Sequence, residues 1–379
     1  MGKPVSLILL VLLCLVRGSG GEKSVHVTVK NPGDIDRKVE TIAVSLRGMG
    51  VVADRMGRVV VADEKTGATL LHQIDGDTLL FQSGFMPYEE KEFLITQSGD
   101  TGGASPSLVD GRFELPREDY AWENDRIAFR MYGPALAAEV NNGIDVWTKR
   151  VRYLIVDKWY RASAAAGKDT YHEDHGEGAD FFSVGRSLGA GGCGIWLNGK
   201  VQQPGVFSSC RTIHNGPIRV TFELVYSNWN VNGKIITERM RISLDAGENL
   251  NRVELVAGSH GLNDSIQLAC GLVKRSNTAA SKDEDNRWLG LWGLTVADTV
   301  NGFLGTGIVS SPSSFIQFAE DRDQYLAIGQ TRAGEPFVYY AGAGWTRSGD
   351  FATESDWKSY LNGFARRLLS PLKVTPHTN

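Results

Sequence analysis

The feature that most constrains this chain is a period-two alternation of apolar and polar residues that recurs along most of its length. Ile42, Val44 and Leu46 share the pattern with Ile127, Phe129 and Met131, with Ile218, Val220, Phe222 and Leu224, and with Met240, Ile242 and Leu244. Successive side chains of an extended backbone point to opposite faces, so each run reads as a strand with one buried face. Between the runs stand the turn signals "KNPGD", "DRMGR", "DEKTG", "NNG", "VNGK" and "DAGEN", placed as an antiparallel meander requires. The pattern predicts a mostly β fold: a large antiparallel β-sandwich with few helices.

One segment breaks the alternation. In "TESDWKSYLNGFARRLLSP", Trp357, Leu361, Phe364 and Leu368 recur at helical spacing, Thr353 offers a cap with Asp356 three residues on, and Pro371 follows. A helix near the C-terminus is therefore predicted, packed outside a sheet, although Gly363 costs it about 1 kcal/mol relative to alanine. The aperiodic "QSGDTGGASPSLVDG", 97–111, divides a smaller β-unit (22–100) from a main sandwich carrying the C-terminal helix (112–379), with 101–111 as a Gly/Ser/Pro loop or linker.

The first residues read as a signal peptide over 1–21: Lys3, the apolar run "VSLILLVLLCLV", then the small residues of "RGSGGEK". The run is shorter than the roughly 18 residues a membrane span needs, and no second one follows. The expectation is an exported protein, periplasmic or extracellular, with no integral membrane segment after cleavage. A net charge of −4 without a basic, aromatic-interleaved patch gives no reason to expect nucleic acid. Cys193, Cys210 and Cys270 remain after cleavage, so at most one intrachain bridge forms, and Cys193 with Cys210 is the pair to test.

Polar residues gather in four stretches. "YHEDHGEGADFFSVGRSLGAGG", 171–192, brings Tyr171, His172, His175, Glu177 and Asp180; its glycines argue against a helix, and so against a helical zinc motif. A divalent metal on His172, His175, Glu177 and Asp180 needs a fold-back that those glycines permit; otherwise the sequence calls for no cofactor. "YAWENDRIAFRMYGP" adds Trp122, Glu123, Asp125 and Arg130, "GIDVWTKRVRY" adds Asp145, Trp147, Lys149 and Arg150, and "CRTIHNGPIRV" adds His214 and Arg219. Read alone, 171–192 is a solvated acidic loop anchored by a histidine or two, and each of the other three stretches is a solvated strand face. Together, aromatic plates, carboxylates, guanidinium groups and imidazoles suit a sugar, with Arg and Lys able to pair a uronic acid carboxylate. "GRSLGAGGCG", 185–194, spells G-x-S-x-G but stands in a β pattern and reads as a glycine-rich bend, and no Walker loop or H-E-x-x-H occurs.

The stretches "AWENDRIAFRMYGPAL", "GIDVWTKR", "YHEDHGEGADFFSVGRSLGAGG", "NGPIRVTFELVY" and "YYAGAGWTRSGDF", with "VTVKNPGDIDRKVET" and "LLFQSGF" near the start, resemble a bacterial domain of unknown function, DUF4861. The resemblance spans nearly the whole mature chain. It implies an exported protein that occurs alongside pectin-degrading enzymes, with a galactose mutarotase-like β-supersandwich of the kind that also underlies several polysaccharide lyases. It transfers no catalytic residue.

The expected function is action on a uronic-acid-containing, pectin-like oligosaccharide or polysaccharide by lyase-type β-elimination. Arg130, Lys149 or Arg150 would neutralise the C6 carboxylate, His172, His175 or His214 would take the C5 proton, and Tyr171 would protonate the departing O4. A mutarotase or isomerase using Glu177 with His175 or His214 is the alternative. A non-catalytic glycan-binding sandwich would instead lean on Trp122 and Trp147, with Asp125, Asp145 and Asp180 as polar contacts. A hydrolase built on paired carboxylates among Glu123, Asp125, Glu177 and Asp180 would be decided by their separation.

Overall fold

The computed structural model describes residues 24–47, 58–98, 106–259, 265–296 and 299–377. The expected signal peptide, most of the "DRMGR" turn and the start of the Gly/Ser/Pro loop lie outside those residues.

In chain order the strands begin with β1 (Ser24–Lys30), β2 (Arg37–Ser45), β3 (Arg58–Asp63), β4 (Thr69–Leu70), β5 (His72–Asp75), β6 (Thr78–Phe85) and β7 (Glu90–Ser98). A second group follows: β8 (Val109–Glu114), β9 (Asp119–Asn124), β10 (Ala128–Met131), β11 (Asp145–Lys149), the helix α1 (Val156–Ala166) and β12 (Gly178–Asp180). Then come β13 (Ala190–Leu197), β14 (Lys200–Gln202), β15 (Ser209–Asn215), β16 (Arg219–Val231), β17 (Lys234–Asp245), β18 (Leu250–Ser259) and β19 (Ser265–Val273). The chain finishes with β20 (Thr278–Asp283), β21 (Trp288–Leu294), β22 (Phe303–Ser310), β23 (Phe315–Glu320), β24 (Gln324–Arg332), β25 (Pro336–Trp345), α2 (Glu354–Leu369) and β26 (Lys373–His377).

The largest sheet has the order β15-β16-β17-β18-β25-β22-β21-β20. Two five-stranded sheets, β12-β11-β10-β9-β8 and β14-β13-β19-β24-β23, lie side by side on one face of it, with β8, β9 and β11 against β16, β17 and β25, and β13 and β19 against β25 and β22. The expected alternation fills the interior between them: Phe129, Val220, Phe222, Leu224, Met240, Ile242 and Leu244 are buried in one continuous core. The fold is the large antiparallel sandwich predicted.

The C-terminal helix also forms where predicted, with Thr353 and Asp356 making a reciprocal capping box. It lies on the opposite face of the eight-stranded sheet, where Trp357 and Leu361 settle onto Gly290, Gly305 and Gly307. A Cβ on Gly305 would stand 2.7 Å from the Trp357 ring, so these glycines make the flat seat that the helix needs.

Two expectations need correction. The last strand, β26, does not belong with the main sandwich: it pairs antiparallel with β1, so the N-terminal sheets β26-β1-β7-β3-β4 and β2-β6-β5 are completed by the far end of the chain. Val374 of this strand and Leu372 just before it pack on the N-terminal core. The cysteine beside Cys193 is Cys270, its register partner across β13 and β19, while Cys210 lies in β15 opposite Leu224.

Candidate functional site

The site is built on the sheet β12-β11-β10-β9-β8, which is buried on both faces. Tyr120, Trp122, Phe129 and Val146 alternate into the main core. Ala121, Ala128 and Trp147 alternate outward, where α1 covers them with Trp159 and Tyr160, and Tyr171 closes over Trp147. The polar residues sharing that outward face are thus buried, not solvated. Helix α1 was not foreseen, because its "VDKWYRASAAAGK" is largely small and charged and offers only Val156, Trp159 and Tyr160 to a core.

Beneath this cover sits Arg130, whose side chain is 7% exposed. Its Nε and Nη2 donate to Asp145 Oδ2 at 3.0 and 2.8 Å, and Nη2 also reaches Asp180 Oδ2 at 2.9 Å and the Tyr132 hydroxyl at 3.0 Å. Nη1 lies 3.3 Å from the Tyr171 hydroxyl and 3.7 Å from Asp119 Oδ2. Three carboxyl groups around one guanidinium carry more negative charge than it neutralises, and a desolvated site resists that excess by binding protons. Burial pushes Asp180 well above the usual carboxylate range, reinforced by the charge of Asp145. Burial raises Asp119 to about 6, against the pull of Arg130 and Tyr160. Tyr160 donates to Asp119 Oδ2 at 3.2 Å, while Asp119 Oδ1 has no hydrogen-bond partner.

Asp119, Arg130, Tyr132, Tyr171 and Asp180 open onto a cleft of about 750 Å³, walled on its apolar side by Leu136, Val140, Phe181 and Phe182. Two further groups stand at its mouth. His172 has a side chain 54% exposed, with Nδ1 3.1 Å from the Asp180 carbonyl and 3.7 Å from its Oδ2. Arg117 forks onto both oxygens of Asp169 and lies over the Tyr171 ring, 5.5 Å from its centre. Burial raises the Tyr171 phenol to about 12.

A second cleft of about 440 Å³ lies on the other side of Tyr171, lined by Tyr153, Lys158, Trp159, His175 and Glu177. Burial would raise Glu177, but hydrogen bonds from Lys158, Tyr153 and Trp159 hold it below the usual carboxylate range. His175 is exposed, with Nε2 4.0 Å from Glu173 Oε2. The four residues considered for a metal are split: His172 and Asp180 line one cleft, His175 and Glu177 the other. Among the described residues, no group of three or more His, Cys, Asp or Glu side chains is placed to hold a metal ion.

Several residues assigned to substrate serve the fold instead. Trp122 is fully buried and donates to Asn251 Oδ1 at 2.7 Å. Trp147, equally buried, is stacked between Trp159 and Tyr171. Glu123 and Lys149 form a buried ion pair at 2.6 Å; Lys149 also donates to the Asn124 carbonyl, and the Glu123 carboxylate accepts from the backbone N–H groups of Ile155 and Val156. It thereby caps α1 from another strand, a site where the helix dipole favours an anion. Asp145 is fully buried against Arg130.

Others lie outside both clefts. Asp125 accepts from the Gly247 N–H at 2.6 Å and pairs with Arg126, Arg150 pairs with Asp174 at 3.2 Å, and Arg219 makes a two-point pair with Asp245. His214 sits 3.4 Å from Asp75, on β15 at the edge of the eight-stranded sheet. Of the sequence-predicted set, the main cleft keeps Tyr171, His172, Arg130 and Asp180, with Asp145 behind them.

Arg117, Asp119, Tyr132 and Asp169 were missed. A signal for Asp119 exists: it alternates with Ala121 and Glu123, so it shares their outward face, as Tyr132 shares that of Ala128 and Arg130. Nothing comparable marks Arg117 or Asp169, which sit in loops.

Comparison with known proteins places this geometry in context. The family described as a domain of unknown function (DUF4861) matches residues 29–374. An uncharacterized protein, P7, of Formosa agariphila is 34% identical over 378 residues, covering 92% of this chain and 92% of that protein. A solved protein in the glycosyl hydrolase family 38 from Enterococcus faecalis superposes with a TM-score of 0.51 over 95% of this chain at 10% identity. The chain spans about half of that structure, 48% of its length, and the likeness is one of fold: the mutarotase-type β-sandwich.

Proposed function

The chain belongs to the DUF4861 family, and on that premise we propose that it is an exported carbohydrate-active enzyme that cleaves uronic-acid-containing, pectin-like glycans by β-elimination in the Arg130 cleft. The observation that carries this reading is Asp119: a buried carboxyl lining the cleft, with one oxygen unpartnered and a pKa raised to about 6. A carboxyl so placed is a proton donor near neutral pH, as general acid catalysis requires.

The three tasks of elimination fall to groups at the same cleft. Arg117 is the cation at the mouth and can exchange Asp169 for the C6 carboxylate of the sugar. His172, the exposed imidazole, takes the C5 proton, and the electron pair of that C–H bond becomes the C4–C5 double bond. The C4–O bond breaks, and Asp119 delivers the proton to the departing oxygen. Arg130, held by three carboxyls, positions Asp180 and Tyr171 and is a positioning residue here. Lys149 and Arg150, first assigned to the substrate carboxylate, are engaged elsewhere. In this reading Tyr153 and Trp159 of the second cleft receive the neighbouring sugar of a longer chain.

Incubation with a panel of uronides, polygalacturonate and pectin among them, is expected to yield unsaturated, ultraviolet-absorbing products. Absence of such products from every member contradicts the proposal. Sugar isomerisation is favoured by one observation, that Arg117 is already paired with Asp169: mutarotation needs an acid and a base but no carboxylate partner. Arg117→Ala separates the two, since it abolishes elimination and leaves anomer interconversion, read by polarimetry, unchanged.

A further inference from the structure

We infer that Cys193 and Cys270 form an intrachain disulfide when the chain folds in an oxidising compartment. The two residues face each other in register across the antiparallel strands β13 and β19, with sulfur atoms 3.5 Å apart. Directly opposed residues of an antiparallel pair have Cα atoms about 4.5–5.5 Å apart, inside the span of roughly 4.4–6.8 Å that a disulfide bridges. Closure takes rotation of the two side chains about their Cα–Cβ bonds, together with a small approach of the two Cβ atoms. Cys210 is excluded as a partner by its place in β15, on the other sheet and opposite Leu224.

The chemistry is ordinary exchange with a small-molecule or protein disulfide as oxidant. One thiolate attacks the oxidant, forms a mixed disulfide and releases the first thiol. The second cysteine then attacks the mixed disulfide, closing the Cys193–Cys270 bond and releasing the second thiol. Two protein thiols are oxidised, one disulfide is reduced to two thiols, and the protons leave on the released thiols. Both cysteines are buried once folded, at 0% and 1% exposure, and burial pushes the Cys270 thiol well above its usual range. Access and thiolate are both scarce in the finished fold, so closure belongs to folding and not to the native protein.

The test is to denature and reduce the full chain, then refold it in a mixture of reduced and oxidised glutathione. After alkylation of free thiols and proteolysis, mass spectrometry is expected to find the Cys193 and Cys270 peptides joined with loss of two hydrogens, and Cys210 alkylated. Chain folded while reduced and then given the same mixture is expected to keep Cys193 and Cys270 as thiols. Because the bridge closes a loop spanning 77 residues of sequence, the oxidised form should also melt several degrees above the reduced form, a shift absent from the Cys193→Ala, Cys270→Ala double variant. The Cys210→Ser variant should still form the bridge. Alkylation of both Cys193 and Cys270 after oxidative refolding, or a link from Cys210 to either, overturns the inference.

Discussion

At the scale of single residues, the surplus of negative charge around Arg130 governs both stability and chemistry. Asp119 titrates near 6 in the native protein and at its ordinary 3.8 when unfolded. Between those values the native state binds more protons than the unfolded state, so the contribution of Asp119 to stability is complete below about pH 4 and is lost as pH rises through about 6. Asp119→Asn removes that titration. Denaturant melts at several pH values should show a shallower fall in stability from pH 4 to 6 in the variant than in the wild type. The same protonation makes the proposed acid active, so turnover should decline as pH rises above about 6. Glu123 makes the opposite case. It was a candidate for catalysis, but Glu123→Ala strands the buried Lys149 ammonium and uncaps α1, which should cost about 3–5 kcal/mol in urea unfolding. That loss would mark a residue whose role is structural.

At the scale of elements, the helices are held by what the sheets leave open for them. Helix α2 rests on Gly290, Gly305 and Gly307 of β21 and β22, and a Cβ on Gly307 would stand 2.6 Å from Leu361 Cδ2. Gly307→Ala must displace the helix or strain Leu361, a cost of about 1–3 kcal/mol. Equilibrium unfolding should register it as a lowered midpoint with an unchanged denaturant slope. Helix α1 depends on a carboxylate from β9 and on the aromatic stack of Trp147, Trp159 and Tyr171. This helix turns a sheet face that reads as solvated into the wall of a cleft, and so moves Arg130 and Asp145 from surface to interior.

At the scale of the whole molecule, the alternation of Ile218 to Leu224 and of Met240 to Leu244 made the sandwich legible, because a two-residue period leaves little choice of fold class. The C-terminal helix was equally legible from Thr353, Asp356 and its apolar stripe. The site was only half legible: Tyr171, His172, Arg130 and Asp180 declare themselves by type, but whether Trp147 or Lys149 faces solvent depends on α1, a long-range contact that no local pattern encodes. The return of β26 to β1 is hidden for the same reason. What unites these levels is one claim, that the cleft above Arg130 is an acid–base site for a uronide. Its most direct test follows ultraviolet absorbance during incubation of a uronide polymer with the wild type and with Asp119→Asn, both checked for folding by circular dichroism. The account predicts a steady rise with the wild type and a rate lower by about 10²–10⁴-fold in the variant. No rise with the wild type, or equal rates in the two, would contradict it.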